Sequence, residues 1–67
     1  MKEVDARGLS CPEPVMLTAE ALKNESGPVR VLVTEPHQRM NVEKLARDRG
    51  RKATSTETDD GFAVIIE

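Results

Sequence analysis

Near the amino end, apolar residues occur singly in KEVDA, a short extended stretch, which then gives way to the connection ARGLSCPEP. From Pro14 to Asn24 they return at helical spacing: Val15, Thr18, Ala19 and Leu22 share one face at i, i+3, i+4 and i+7. NESGP, with its glycine and proline, ends that helix. Residues 29–34, VRVLVT, are β-branched and apolar at nearly every position, as expected of a strand inside a sheet. EPHQRMN reads as a loop, with Asn41 as N-cap of a second helix whose face is Val42, Leu45, Ala46 and Arg49 and which Gly50 closes. KATSTET alternates weakly, DDG is a turn signal, and FAVIIE is again strongly β-prone, so the last two strands form a hairpin.

The predicted order is β-α-β-α-β-β, an α+β two-layer sandwich. Right-handed crossovers return both helices to one face of a four-stranded mixed sheet. The loops after the first and second strands then emerge at the same sheet edge, where open α/β sheets bind ligands. SCPEP and EPHQRM are thereby expected to be neighbours in space. The 67 residues read as one small domain, residues 1–67, near the lower size at which an aliphatic core suffices.

Composition narrows the function. Cys11 and His37 are the only residues of their types, so an internal disulfide is impossible and no zinc-ligand cluster exists. No apolar run is long enough for a signal peptide or a membrane span, and a lone thiol suits the reducing cytoplasm. Tyr and Trp are absent and Phe62 is the only aromatic, which leaves no stacking platform for bases; direct nucleic-acid binding is not expected. The net charge of −2 hides an asymmetry: residues 37–52 carry six basic side chains against Glu43 and Asp48, whereas residues 53–67 carry only acidic ones. The basic run reads as a solvated helix face or as a docking surface for an acidic partner protein or RNA-bearing complex, with Lys44 and Arg47 among its members.

The sole cysteine sits between strand and helix, followed by Pro12 and Pro14. A residue before proline is pushed to extended geometry, so Cys11 suits an N-cap and Pro12 the first helical position, with a start at Pro14 the other choice. A register with Ser10 as N-cap and Glu13 as its capping-box partner puts Pro14 where an N–H is needed. A helix N-terminus favours a thiolate, but each proline removes a donor, and Glu13 and Glu35 oppose ionisation. Arg7, His37 or Arg39 would act the other way if they point inward, and His37 could pair with Cys11 as a base. Cys11 is either a small packed hydrophobe or a presented nucleophile. Met16 and Leu17 fall off the helix's core stripe, as gap-fillers or as a partner contact beside Cys11.

VDARGLSCPEPVM resembles the N-terminal signature of the TusA/SirA-like sulfur carriers, in which a Cys-Pro-x-Pro motif follows a short strand and opens the first helix. Asp5, Gly8, Leu9, Cys11, Pro12 and Pro14 fall on that pattern, with Glu13 at its variable position; Gly50 and Gly61 extend the likeness over the whole chain. The resemblance implies a fold similar to the C-terminal domain of translation initiation factor 3. It also implies a cofactor-free, monomeric sulfurtransferase role in which Cys11 takes sulfur as a persulfide from a cysteine desulfurase or rhodanese-like donor. The sulfur would pass to an acceptor protein in a relay such as tRNA thiolation. After the second strand, TEPHQRMNV lacks the Asp-x-Pro and Asp-Ile of many sulfur carriers, and its Asn41–Val42 pair is similar to the YedF-like selenium-metabolism branch. The alternatives are therefore a selenium-handling domain and a non-catalytic regulatory or interaction domain of the same fold.

Overall fold

A computed structural model describes residues 1–10 and 12–67 of the chain. The elements are β1 (Lys2–Asp5), α1 (Glu13–Asn24), β2 (Val29–Val33), α2 (Pro36–Asp48), β3 (Ala53–Thr58) and β4 (Gly61–Ile66). They form a four-stranded sheet of order β1-β2-β4-β3, parallel between β1 and β2 and antiparallel elsewhere. The sequence expectation of β-α-β-α-β-β with a mixed sheet and two helices holds.

The core follows from strand alternation. Val29, Val31 and Val33 are fully buried, while Arg30 and Leu32 between them are half-buried on the other face. Val64 and Ile66 of β4 lie opposite Val31 and Val29, so aliphatic pairs from two strands meet beneath the helices. Val42 and Ala46 of α2 and Ala21 of α1 close this layer. Each fully buried valine contributes about 1.5–3 kcal/mol of transfer free energy.

Three local expectations are corrected. Helix α2 begins at Pro36, not after Asn41: Glu35 is the extended N-cap (φ −103°, ψ 148°) and Pro36 takes the first helical position. Gln38 then returns its side-chain Oε1 to the Glu35 N–H, the reciprocal half of a capping box. Asn41 is consequently an exposed mid-helix residue, and the supposed loop EPHQRMN is helical from its second residue. Helix α1 starts at Glu13 with Pro12 as its N-cap, so neither Pro12 nor Pro14 is the first helical residue. Its buried stripe is Pro14, Thr18 and Ala21, with Val15, Ala19 and Leu22 only half-buried. Pro14 serves as a core residue as well as a helix starter, and the Thr18 hydroxyl is satisfied inside the core by donating to the Pro14 carbonyl at 2.7 Å.

At the far end of α2 the sequence reading is sustained: Gly50 (φ 72°) follows the Arg49 cap and donates to the Arg47 carbonyl at 2.9 Å. Arg51 is a structural clamp rather than part of a free basic face. Its Nε donates to the Glu67 carbonyl and a terminal nitrogen to the Gly27 carbonyl, both at 2.8 Å.

Candidate functional site

Parallel pairing of β1 with β2, in the register Lys2↔Val29 to Asp5↔Leu32, makes the two strands end at the same edge. Both helices start from that edge, so the β1–α1 connection lies against the first turn of α2. Its course is fixed by a short series of hydrogen bonds. Ala6 N–H donates to the Leu32 carbonyl (2.8 Å), continuing the ladder past β1, and Leu9 N–H closes a turn on the Ala6 carbonyl (3.3 Å). Gly8 supplies the left-handed φ of 78° that the turn needs, and its N–H donates to Thr34 Oγ1 at 2.9 Å.

Gln38 is the hub of the junction. Its side chain is buried; Nε2 donates to the Leu9 carbonyl at 2.7 Å while Oε1 accepts from the backbone N–H groups of Thr34 and Glu35. One amide thus joins the end of β2, the cap of α2 and the loop that leads to residue 11. Leu9 also packs against the core. On the other side of residue 11, Glu13 N–H donates to the Ser10 carbonyl at 2.9 Å. The connection is therefore tied down at Gly8, Leu9, Ser10 and Glu13. Cys11 itself lies outside the described residues.

Sequence reasoning missed Thr34 and Gln38. The signal was present: Glu35-Pro36 followed by Gln38 is a helix-start pattern, with proline at the first position and Gln three residues after the cap. It was overlooked because Asn41 is a better N-cap by residue type.

Two of the expected cationic neighbours, Arg7 and Arg39, are held in ion pairs. Arg7 makes a bidentate pair with Asp5, Nε to Oδ1 and a terminal nitrogen to Oδ2, both at 2.8 Å, and reaches Asp60 at 3.2 Å. This joins the exit of β1 to the β3–β4 turn. Hydrogen bonds from the Arg7 side chain and then its backbone hold the Asp5 carboxyl down to about 2, and the pair raises the Arg7 guanidinium. Arg39 turns toward β3 and β4: it pairs with Glu43 at 3.2 Å and stacks over the Phe62 ring at 5.2 Å, while Glu43 also accepts the Ser55 hydroxyl. His37 is exposed in the first turn of α2. Among the described residues, no group of three or more His, Cys, Asp and Glu side chains could hold a metal ion.

The first turn of α1 offers little to an anion, because the Glu13 N–H is spent on Ser10, Pro14 has none, and the Met16 N–H already closes on Pro12. Large apolar side chains are exposed on both helices. Met16 and Leu17 are 62% and 40% exposed, and Met40, unmarked by the sequence reading, is 57% exposed in the early turns of α2. Because α1 and α2 start from one sheet edge, these three side chains lie toward the same end of the helical layer. Pro12 and Glu13 are exposed beside them, and Lys44 and Arg47 are exposed further along α2. Among the described residues, no helix is long and apolar enough to cross a membrane.

Comparison with known proteins agrees with this geometry. A family model described as sulfurtransferase TusA matches residues 2–67. The sulfur carrier protein TusA of Pseudomonas putida is 33% identical over 60 residues, covering 87% of this chain and 75% of that protein. Its counterpart in Pseudomonas syringae is 31% identical over 61 residues, with 88% and 73% covered. The crystal structure of a SirA-like protein from Desulfitobacterium hafniense superposes with a TM-score of 0.93 at 36% identity, covering 98% of this chain and 95% of that one.

Proposed function

The chain belongs to the TusA sulfurtransferase family, and from that premise we propose that it is a sulfur carrier, with Cys11 as its covalent residue. The observation that carries the reading is the tied-down β1–α1 connection. Gly8 and Leu9 are hydrogen-bonded to Thr34 and Gln38, so a loop bearing the only thiol of the chain is held at the sheet edge. Asp5, Gly8, Leu9, Pro12, Glu13 and Pro14 are positioning residues in this reading: Asp5 holds Arg7, Leu9 and Pro14 anchor, and the prolines set where α1 begins.

The chemistry is two thiol exchanges. The Cys11 thiolate attacks the outer sulfur of a donor persulfide, the donor's S–S bond breaks, and the donor leaves as a thiolate with Cys11 now a persulfide. An acceptor thiolate then attacks that outer sulfur, and Cys11 leaves as the thiolate it began as. No net electrons are gained or lost by the carrier, so no cofactor is required. The donor is a cysteine desulfurase or rhodanese-like protein and the acceptor a second protein in the relay; Met16, Leu17 and Met40, with Lys44 and Arg47, form the surface both would meet. The 67 residues act as one domain, in the cytoplasm, where a free thiol persists.

Intact-mass measurement after incubation with a persulfide donor tests this. The protein should gain one sulfur atom, Cys11→Ser should gain none, and His37→Gln should gain sulfur at an unchanged rate. Loading of Cys11→Ser, or failure of the wild type to load, rejects the assignment.

A further inference from the structure

β1 has a partner on one side only, because the sheet order is β1-β2-β4-β3. The Lys2 and Ala6 amides donate toward β2, to the Pro28 and Leu32 carbonyls at 3.3 and 2.8 Å. Alternate residues of a strand direct their backbone groups to opposite edges, so the N–H and C=O groups of Glu3 and Asp5 face outward. Beside them, between β1 and α1, runs a groove of about 360 Å³. Val4, Leu17 and Ala21 contribute apolar lining to it, and Glu20 and Glu25 acidic lining. An open strand edge next to a helix-walled groove is the geometry by which folded domains take up an extended peptide as an extra strand.

Charge decides what that strand is. Glu3, Asp5, Glu20 and Glu25 line the groove against Lys2 alone. Arg30 and Arg7 pair with Glu3 and Asp5, but Glu20 and Glu25 have no ion-pair partner among the described residues. A second copy of this chain is a poor occupant: antiparallel pairing through the outward groups would set Glu3 or Asp5 against the same acidic residues on the second copy. A segment with lysine or arginine at alternate positions sets them on the sheet face of Glu3 and Asp5, and its net positive charge also suits Glu20 and Glu25 on the helix side.

We propose that the β1–α1 groove is a strand-addition site for an extended basic segment of a partner protein. The segment bonds to the backbone groups of Glu3 and Asp5, sets basic side chains beside their carboxylates, and lays the intervening apolar side chain against Val4 and Leu17. The groove shares Asp5 and Leu17 with the sulfur-transfer surface proposed above, but binding there needs no thiol.

The test is an amide NMR titration of the full chain, at low salt, with an end-blocked peptide of alternating lysine and valine. Saturable shifts centred on Glu3, Asp5, Leu17 and Ala21 are expected, with slowed amide exchange at Glu3 and Asp5. A peptide with glutamate for lysine, or one N-methylated at the residues facing β1, should bind at least about tenfold more weakly. Combining Glu20→Lys with Glu25→Lys should weaken the lysine peptide about tenfold without disturbing the free protein's sheet resonances. Absence of saturable binding, shifts centred on β3 or on the open sheet face, or equal binding of the acidic peptide overturns the proposal. Cys11→Ser protein serves equally well in this titration, so its outcome and that of sulfur loading are read separately.

Discussion

Replacing Gln38 by leucine puts the junction between the two βα connections to its most direct test. The side chains are similar in volume, so little cavity forms, and the loss is polar. Three hydrogen bonds disappear: to the Leu9 carbonyl at 2.7 Å and from the Thr34 and Glu35 N–H groups at 3.2 and 3.1 Å. The two longer ones lie at a helix start where water can partly replace them. The part-buried Leu9 carbonyl loses its donor, which costs about 1–3 kcal/mol alone. A total near 2–3 kcal/mol is therefore expected. A domain of this length has only about 3–10 kcal/mol to lose. The thermal midpoint should fall by roughly 10–20 °C, measured by far-UV circular dichroism because the chain has neither Trp nor Tyr. Amide exchange at Gly8 and Leu9 should quicken more than in the middle of α1, since the contact is specific to the loop. A stability loss below about 0.5 kcal/mol, or exchange at Gly8 and Leu9 unchanged, would refute the role given to Gln38.

Two further perturbations bear on the frame of the site. An NMR titration of the Asp5 carboxyl should give a midpoint near 2, returning toward 3.8 in Arg7→Ala; a wild-type midpoint near 3.8 would mean the bidentate pair does not persist in solution. Because this folded pKa is depressed, the stabilisation is present above pH 3.8 and is lost as the pH falls toward about 2, on the acid limb only. Gly61→Ala should destabilise by at least about 2 kcal/mol in urea unfolding, because a Cβ there would run into the Val33 carbonyl and come within 2.8 Å of the Thr34 Cα. A loss under about 0.5 kcal/mol would show that the β3–β4 hairpin can back away from β2.

The parts of this fold that periodicity records were legible before any coordinates. The VRVLVT and FAVIIE runs became the central strands, and the meeting of the β1–α1 connection with the start of α2 followed from the parallel pairing of β1 with β2 rather than from any one residue. The boundaries that failed share a cause. Local pattern treats proline as punctuation, which places Pro36 in a loop and Pro14 at a helix start, whereas the first opens α2 and the second is also buried in the core. Asn41 looked like the stronger cap because local propensity ranks it above Glu35; the tertiary contact of Gln38 with Leu9, which links residues 29 positions apart, decided otherwise. No single-segment pattern contains that contact. The ion pairs of Arg7 and Arg39 were hidden for a related reason, since a sequence shows a cation near a thiol but not the carboxylates, Asp5, Asp60 and Glu43, that pair with it.

That pairing of cations has a consequence for sulfur relay as proposed above. Holding the loop and activating the thiol are separate tasks, and the described residues serve the first. Neutral donors and acceptors, Thr34 and Gln38, fix the connection, while Arg7 and Arg39 are neutralised by their own carboxylates, and α1 opens with few free N–H groups. A strongly activated thiolate would be a poor choice for a carrier in any case. Cys11 must be the nucleophile when sulfur arrives and the leaving group when it departs, and lowering a thiol's pKa weakens the first as it assists the second. A thiol whose pKa lies near the ambient pH serves both half-reactions, and the direction of flow is then set by which partner is docked.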